Sequence, residues 1–296
     1  MLDSYLMLAP MLLLPVAALL RFIGCQLVFP LEPADDVTVI VTPDSVNLGP
    51  GQAQQFTAMV DGVASAAVTW STDSAAPVAP DGLFTAPAPF VLGSPAVKVT
   101  ATSSQTPASS AFATVTLIGT GARFVPPPDL IPQGSWNGVY GQAGFALADR
   151  PADLVQLPAF LPTLTLPPQS QVFQFQDPSV DIRALQRPPA FADRFSSAWF
   201  NNVGAAPALA FDFAFADFQV HRVAFYFCDF DNQNRTQKIE VFDISQAGAP
   251  VLLDTQTIAG FVAGQYLVWE LQGKVRMQIT KVAGLDVILH GIFFTS

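Results

Sequence analysis

The chain has 296 residues, enough for about two domains that each bury a core of their own. Charged residues make up only 12%, against roughly 25% in ordinary soluble domains. The 13 basic and 23 acidic residues leave a net charge of −10, a field that repels a phosphate backbone, and with Lys and Arg scattered, nucleic acid is excluded as a partner.

Residues 1–25, MLDSYLMLAPMLLLPVAALLRFIGC, hold an uncharged run from Ser4 to Leu20. That run suits the apolar region of an export signal and is slightly short for a membrane span of about 20 residues. Phe22-Ile23-Gly24-Cys25 resembles the bacterial lipobox, which implies lipidation of Cys25. Against a cleaved signal stand Asp3, Arg21 and the lack of a basic residue ahead of the apolar run, so an uncleaved helical anchor and an apolar segment packed in a larger assembly stay open. Residues 26–36 read as a short linker.

Long helical periods are absent beyond residue 35, and Pro, Gly and Phe are plentiful (26, 19 and 25), which predicts an all-β chain. Between residues 37 and 118, VTVIVTP, the Gly49–Gly51 turn with QQFTAMV, VTWSTDS, VKVTATSS and SAFATVTLIG alternate at period two and predict one small β-sandwich. VTPDSVNLGPGQAQQFTAMV, VTWSTDS, GLFTAP and VKVTATS together resemble the bacterial Ig-like domains of surface proteins, the BIG2 type. That resemblance implies a spacer or stalk unit with Trp70 in its core. Residues 119–133 include RFVPPPDLIPQ, whose prolines predict a stiff, extended linker.

Residues 134–296 read as the larger domain. In LAFDFAF, Leu209, Phe211, Phe213 and Phe215 share a face; in HRVAFYF the shared face is Val223, Phe225 and Phe227, with His221 at its edge. KVRMQITK points Val275, Met277 and Ile279 inward and Lys274, Arg276 and Gln278 outward. About nine such segments predict a jelly-roll β-sandwich. GSWNGVYG, VDIRALQ, CDFDNQNRTQKIEVFD, GQYLVWEL and LHGIFF resemble the galactose-binding-like jelly rolls of carbohydrate-binding type found in bacterial surface proteins. The fold expected is therefore all-β: an apolar helical segment, an Ig-like sandwich, then a larger jelly roll.

Chemistry is concentrated in few places. Asp229, Asp231 and Asn232 lie between two strands and read as a hydrogen-bonded turn, with a structural calcium ion as the alternative and Arg235 as an ion-pair partner. Cys228 reads as a buried thiol. His221 and His290 sit in apolar runs, and no GxSxG, HExxH or Gly-rich phosphate loop is present, so no enzyme is expected. Trp136, Asn137, Tyr140, Trp199, Asn201 and Tyr266 are the candidates for stacking on and bonding to sugar rings, while filling of the core is the competing role for the tryptophans. The reading is a non-catalytic binding or adhesion protein of the cell envelope or exterior, anchored to the membrane through its N-terminus, with a polysaccharide or surface glycan as partner. The other reading is a self-assembling structural subunit of a surface layer, filament or tail-like particle.

Overall fold

The structure, a computed structural model, describes residues 37–64, 67–105 and 109–295. Cys25 and the apolar N-terminal segment lie outside the described residues. Among the described residues no helix is long and apolar enough to cross a membrane.

Among the described residues the first sandwich is made of nine short strands: β1 (Val39–Thr42), β2 (Ser45–Leu48), β3 (Ala53–Gln55), β4 (Thr57–Val60), β5 (Val63–Ala64), β6 (Val68–Thr72), β7 (Leu83–Thr85), β8 (Val97–Ser103) and β9 (Ser110–Leu117). They pair as β2-β9-β8-β6, with β2 parallel to β9, as β1-β4-β5 and as β3-β7. Alternation puts Val97, Val99 and Ala101 of β8 against Phe56, Phe84 and Val115 in one core. Trp70 packs half-buried at the margin of that core, less deeply than expected of a central sandwich tryptophan.

The expected linker is where the fold departs most from the sequence reading. Residues Gly121–Asp129 form β10, an edge strand of the larger sandwich that pairs with Gln265–Gln272. Its prolines fit because the ladder is interrupted between Val125 and Asp129, where Pro126–Pro128 have no amide to contribute. The larger domain therefore begins near residue 121 rather than 134.

The remaining strands are β11 (Gly144–Leu147), β12 (Leu154–Gln156), β13 (Thr163–Thr165), β14 (Val172–Ser179), β15 (Leu185–Gln186), β16 (Arg194–Asn201), β17 (Ala208–Ala214), β18 (His221–Phe227), β19 (Thr236–Asp243), β20 (Val251–Ala259), β21 (Gln265–Gln272), β22 (Lys274–Ala283), β23 (Val287–Leu289) and β24 (Gly291–Thr295). One layer is the six-stranded sheet β10-β21-β18-β24-β11-β12. Facing it are the five-stranded sheet β13-β17-β22-β19-β20 and a smaller one in which β16 pairs with β14, β15 and β23. The core between these layers holds Phe211 and Phe213 of β17, Val223, Phe225 and Phe227 of β18, Trp269 of β21 and Met277 of β22. The alternation read in β17, β18 and β22 is thus the alternation present.

A third layer was not foreseen. On β18 the even residues Ala224 and Tyr226 are also buried, because part of the outer face of the six-stranded sheet is covered by Trp136, Leu185 and Phe195. The cover is partial, and it ends at Tyr140.

Candidate functional site: a groove on the outer sheet face

Three rings expected to bind sugar are structural. Trp136 is 2% exposed, lies 5.0 Å from the Phe293 ring, and donates from its indole nitrogen to the Gln186 carbonyl at 2.9 Å. Trp199 is fully buried in the main core and donates to Asp153 Oδ2 at 3.1 Å. Tyr266, also fully buried, donates its hydroxyl to the Gln133 carbonyl at 2.6 Å. None of the three presents a face to solvent. Asn201 is committed as well, donating to the Ala208 carbonyl at 2.8 Å and accepting from the Val203 amide at 2.9 Å. Asn137 is exposed in the loop that carries Tyr140.

Asp229, Asp231 and Asn232 form the turn, and the charge that meets the carboxylates belongs to Arg235. Asp229, 1% exposed, accepts from the amides of Gln233 at 3.0 Å and Arg235 at 3.1 Å. The Arg235 guanidinium bonds both Asp229 and Asp231, and reaches Asp286 at 2.6 Å. Asn232 sits at φ 53°, and its amide donates to the Asp229 carbonyl. The Arg235 guanidinium thus occupies the space between the two carboxylates. Among the described residues no group of three or more His, Cys, Asp or Glu is placed to hold a metal ion. Asp286, distant in sequence, is the member that the local reading lacked.

Tyr140 is the expected residue that reaches an open site. Its ring stacks on Tyr266 at 4.4 Å, and its hydroxyl donates to Asp129 Oδ2 at 2.7 Å. Burial, and then that hydrogen bond, raise the Tyr140 pKa well above its ordinary value while Arg222 pulls the other way, so the phenol stays a proton donor. Beside it runs a groove of about 490 Å³, lined among others by Val125, Pro126, Pro127, Val139, Gln142 and Arg222. Its floor is the strand row Ala224 and Val268, which register opposite each other on β18 and β21. The groove exists because position 224 carries only a methyl group where its neighbours on the same face, Tyr226 and Phe293, carry rings. At its end Arg123 and Arg222 flank Glu270: Arg123 donates from Nε at 3.0 Å, and Arg222 Nε stands 3.5 Å away.

Gln142, Arg222 and the two prolines were missed as site residues. The period-two reading of HRVAFYF already put Arg222 and Ala224 on the face opposite the core, but nothing local says that this face is covered at one end and open at the other. A second groove, about 680 Å³ and mostly apolar, lies between the sandwiches among Phe90, Phe218, Leu253 and Lys274.

No family model matches the chain, and no curated protein matches it. The two resemblances read from its motifs are therefore without a family match. Among solved structures, one reported for the promiscuous specificity of carbohydrate-binding modules from the β-sandwich superfamily aligns with 87% of this chain and 95% of its own. Identity is 11% and the TM-score 0.27, too low for that likeness to carry an argument.

Proposed function

We propose that the protein is a non-catalytic carbohydrate-binding protein whose larger sandwich takes a saccharide in the groove beside Tyr140. The observation that carries this reading is the composition of the groove at the place where the cover of the sheet stops. Its size falls within the range of small-ligand sites, roughly 300–1,000 Å³. Tyr140, Pro127 and Val139 supply apolar surface that suits the C–H face of a pyranose, and the exposed Gln142 amide is free to bond hydroxyl groups. The carboxylates around it are engaged, Asp129 by Tyr140 and Glu270 by Arg123, an arrangement that favours holding a ligand over proton transfer. The first sandwich acts as a spacer, and the N-terminal pattern supports export to the cell envelope or exterior.

Affinity on the order of 0.1–1 mM is expected, since one or two stacked rings and a few hydrogen bonds supply about 4–5 kcal/mol. Full-length protein should bind an arrayed or insoluble polysaccharide, and Gln142→Ala should weaken that binding roughly three- to ten-fold with an unchanged melting temperature. Equal binding by the variant overturns the assignment of this groove. Assembly into a surface structure is the second reading, favoured by Ile131 (91% exposed) and Val180 (98% exposed) on loops tied together by the Gly134 amide to the Ile182 carbonyl at 3.0 Å. Blank glycan arrays together with concentration-dependent oligomers would favour it.

A further inference from the structure

We infer that the groove selects acidic sugars, rings that carry a single carboxylate, and that Arg222 is the residue that reads the charge. The inference rests on the saccharide reading of the same groove. Arg222 projects from β18 on the outer face, and its side chain is 57% exposed. Among the described residues its one charged partner within 4 Å is Glu270 at 3.5 Å, a separation longer than a good hydrogen bond, and the other Glu270 oxygen is occupied by Arg123. Every other arginine among the described residues donates at least one guanidinium hydrogen bond to a carboxylate, carbonyl or hydroxyl. Among the described residues Arg222 alone makes no guanidinium hydrogen bond, and it is one of the residues that line the groove. Carboxylates and phosphates are the groups that such a fork bonds in parallel.

The surrounding charges limit the ligand further. Arg123 and Arg222 are balanced by Glu270 and Asp129, so the groove has no surplus of positive charge. One carboxylate can replace the loose contact to Glu270, whereas a phosphate dianion would bring more charge than one guanidinium offsets beside two carboxylates. The ring of a uronic acid supplies the remaining complementarity. Its C–H face suits Tyr140 and Pro127, and its hydroxyls reach the Gln142 amide.

The test is calorimetric titration of the full-length protein with short oligomers of galacturonate, glucuronate and mannuronate and with the methyl ester of each, at about 0.15 M salt so that the net charge is screened beyond about 8 Å. The ester keeps the ring and hydroxyls and removes only the charge. At least one acid should bind roughly ten-fold tighter than its ester. In Arg222→Gln the ratio of acid to ester should fall to about one at an unchanged melting temperature, and Arg222→Lys should restore part of it, because an ammonium keeps the charge and loses the fork. Equal binding of acid and ester by the unaltered protein, or a ratio that survives Arg222→Gln, overturns the inference. If neutral glycans bind and acids are not preferred, the saccharide reading stands without it; if acids, esters and a neutral glycan array are all silent, both fall.

Discussion

His290 connects β23 to β24 and is buried beside the ion cluster of Arg235, with its ring stacked on Phe175 at 5.8 Å and neither ring nitrogen bonded to a protein group. Burial, followed by repulsion from Arg235, lowers its pKa from 6.5 to about 3, while Asp229 opposes the shift. The folded state therefore keeps it neutral where the unfolded chain takes up a proton. Its contribution to stability is fully present above pH 6.5 and is lost as pH falls towards 3, with a slope of up to about 1.4 kcal/mol per pH unit. His290→Phe should flatten that slope, so that the difference in melting temperature between variant and parent grows in the variant's favour from pH 7.5 to pH 4.5. A constant difference across that range would show that His290 is not the group that titrates. The burial of His290 was legible from its apolar run, but the fate of Trp136 was not. An indole suits a sugar platform and a buried cap equally, and what decides is the Gln186 carbonyl and the Phe293 ring, brought to it from distant strands.

Period-two patterning settles an element wherever one face is core and the other polar, which is why β17, β18 and β22 were read with the correct faces. It failed at β10, where three successive prolines outweighed the alternation of the residues before them. Ala122 and Phe124 point into the core and Arg123 away from it, so the first half of the segment is an ordinary strand and the prolines fall where the ladder is already broken. The groove depends on this element, because β10 supplies one wall through Val125, Pro126 and Pro127. Phe124 packs on Trp269 at 5.1 Å, and its backbone amide donates to Asp254 Oδ2 of β20 at 2.7 Å, which ties the edges of the two facing sheets. Phe124→Ala should therefore cost about 2–3 kcal/mol in denaturant unfolding of the larger sandwich. A loose linker would show no loss at all.

At the scale of the whole molecule, the two sandwiches are joined by only three residues, Ile118 to Thr120, between the end of β9 and the start of β10. The first sandwich also lays its 89–93 loop on that junction. A Cβ at Gly119 would stand 2.3 Å from the Phe90 ring, so only glycine lets the ring close over the connection. Gln272 of β21 completes the clamp, donating to the Phe218 carbonyl at 2.6 Å and accepting from the Gly93 amide at 3.3 Å. Across the same junction the Lys274 amide donates to Thr120 Oγ1 at 3.2 Å. These contacts hold the first sandwich and the groove-bearing sandwich as one unit, which fixes the direction in which the groove faces. Gly119→Ala should drive the Phe90 ring from its seat and break that coupling. Overpacking of this kind costs about 1–3 kcal/mol, and for a sandwich of some 80 residues each kcal/mol shifts the midpoint by about 4–8 °C. In scanning calorimetry the parent should unfold in one cooperative transition, while the variant should melt its first sandwich earlier, as a separate step, and give a broader distribution of shapes in small-angle scattering. Two resolved transitions in the parent, or a single unshifted one in the variant, would mean that the sandwiches are linked by the chain alone and that the groove is free to turn.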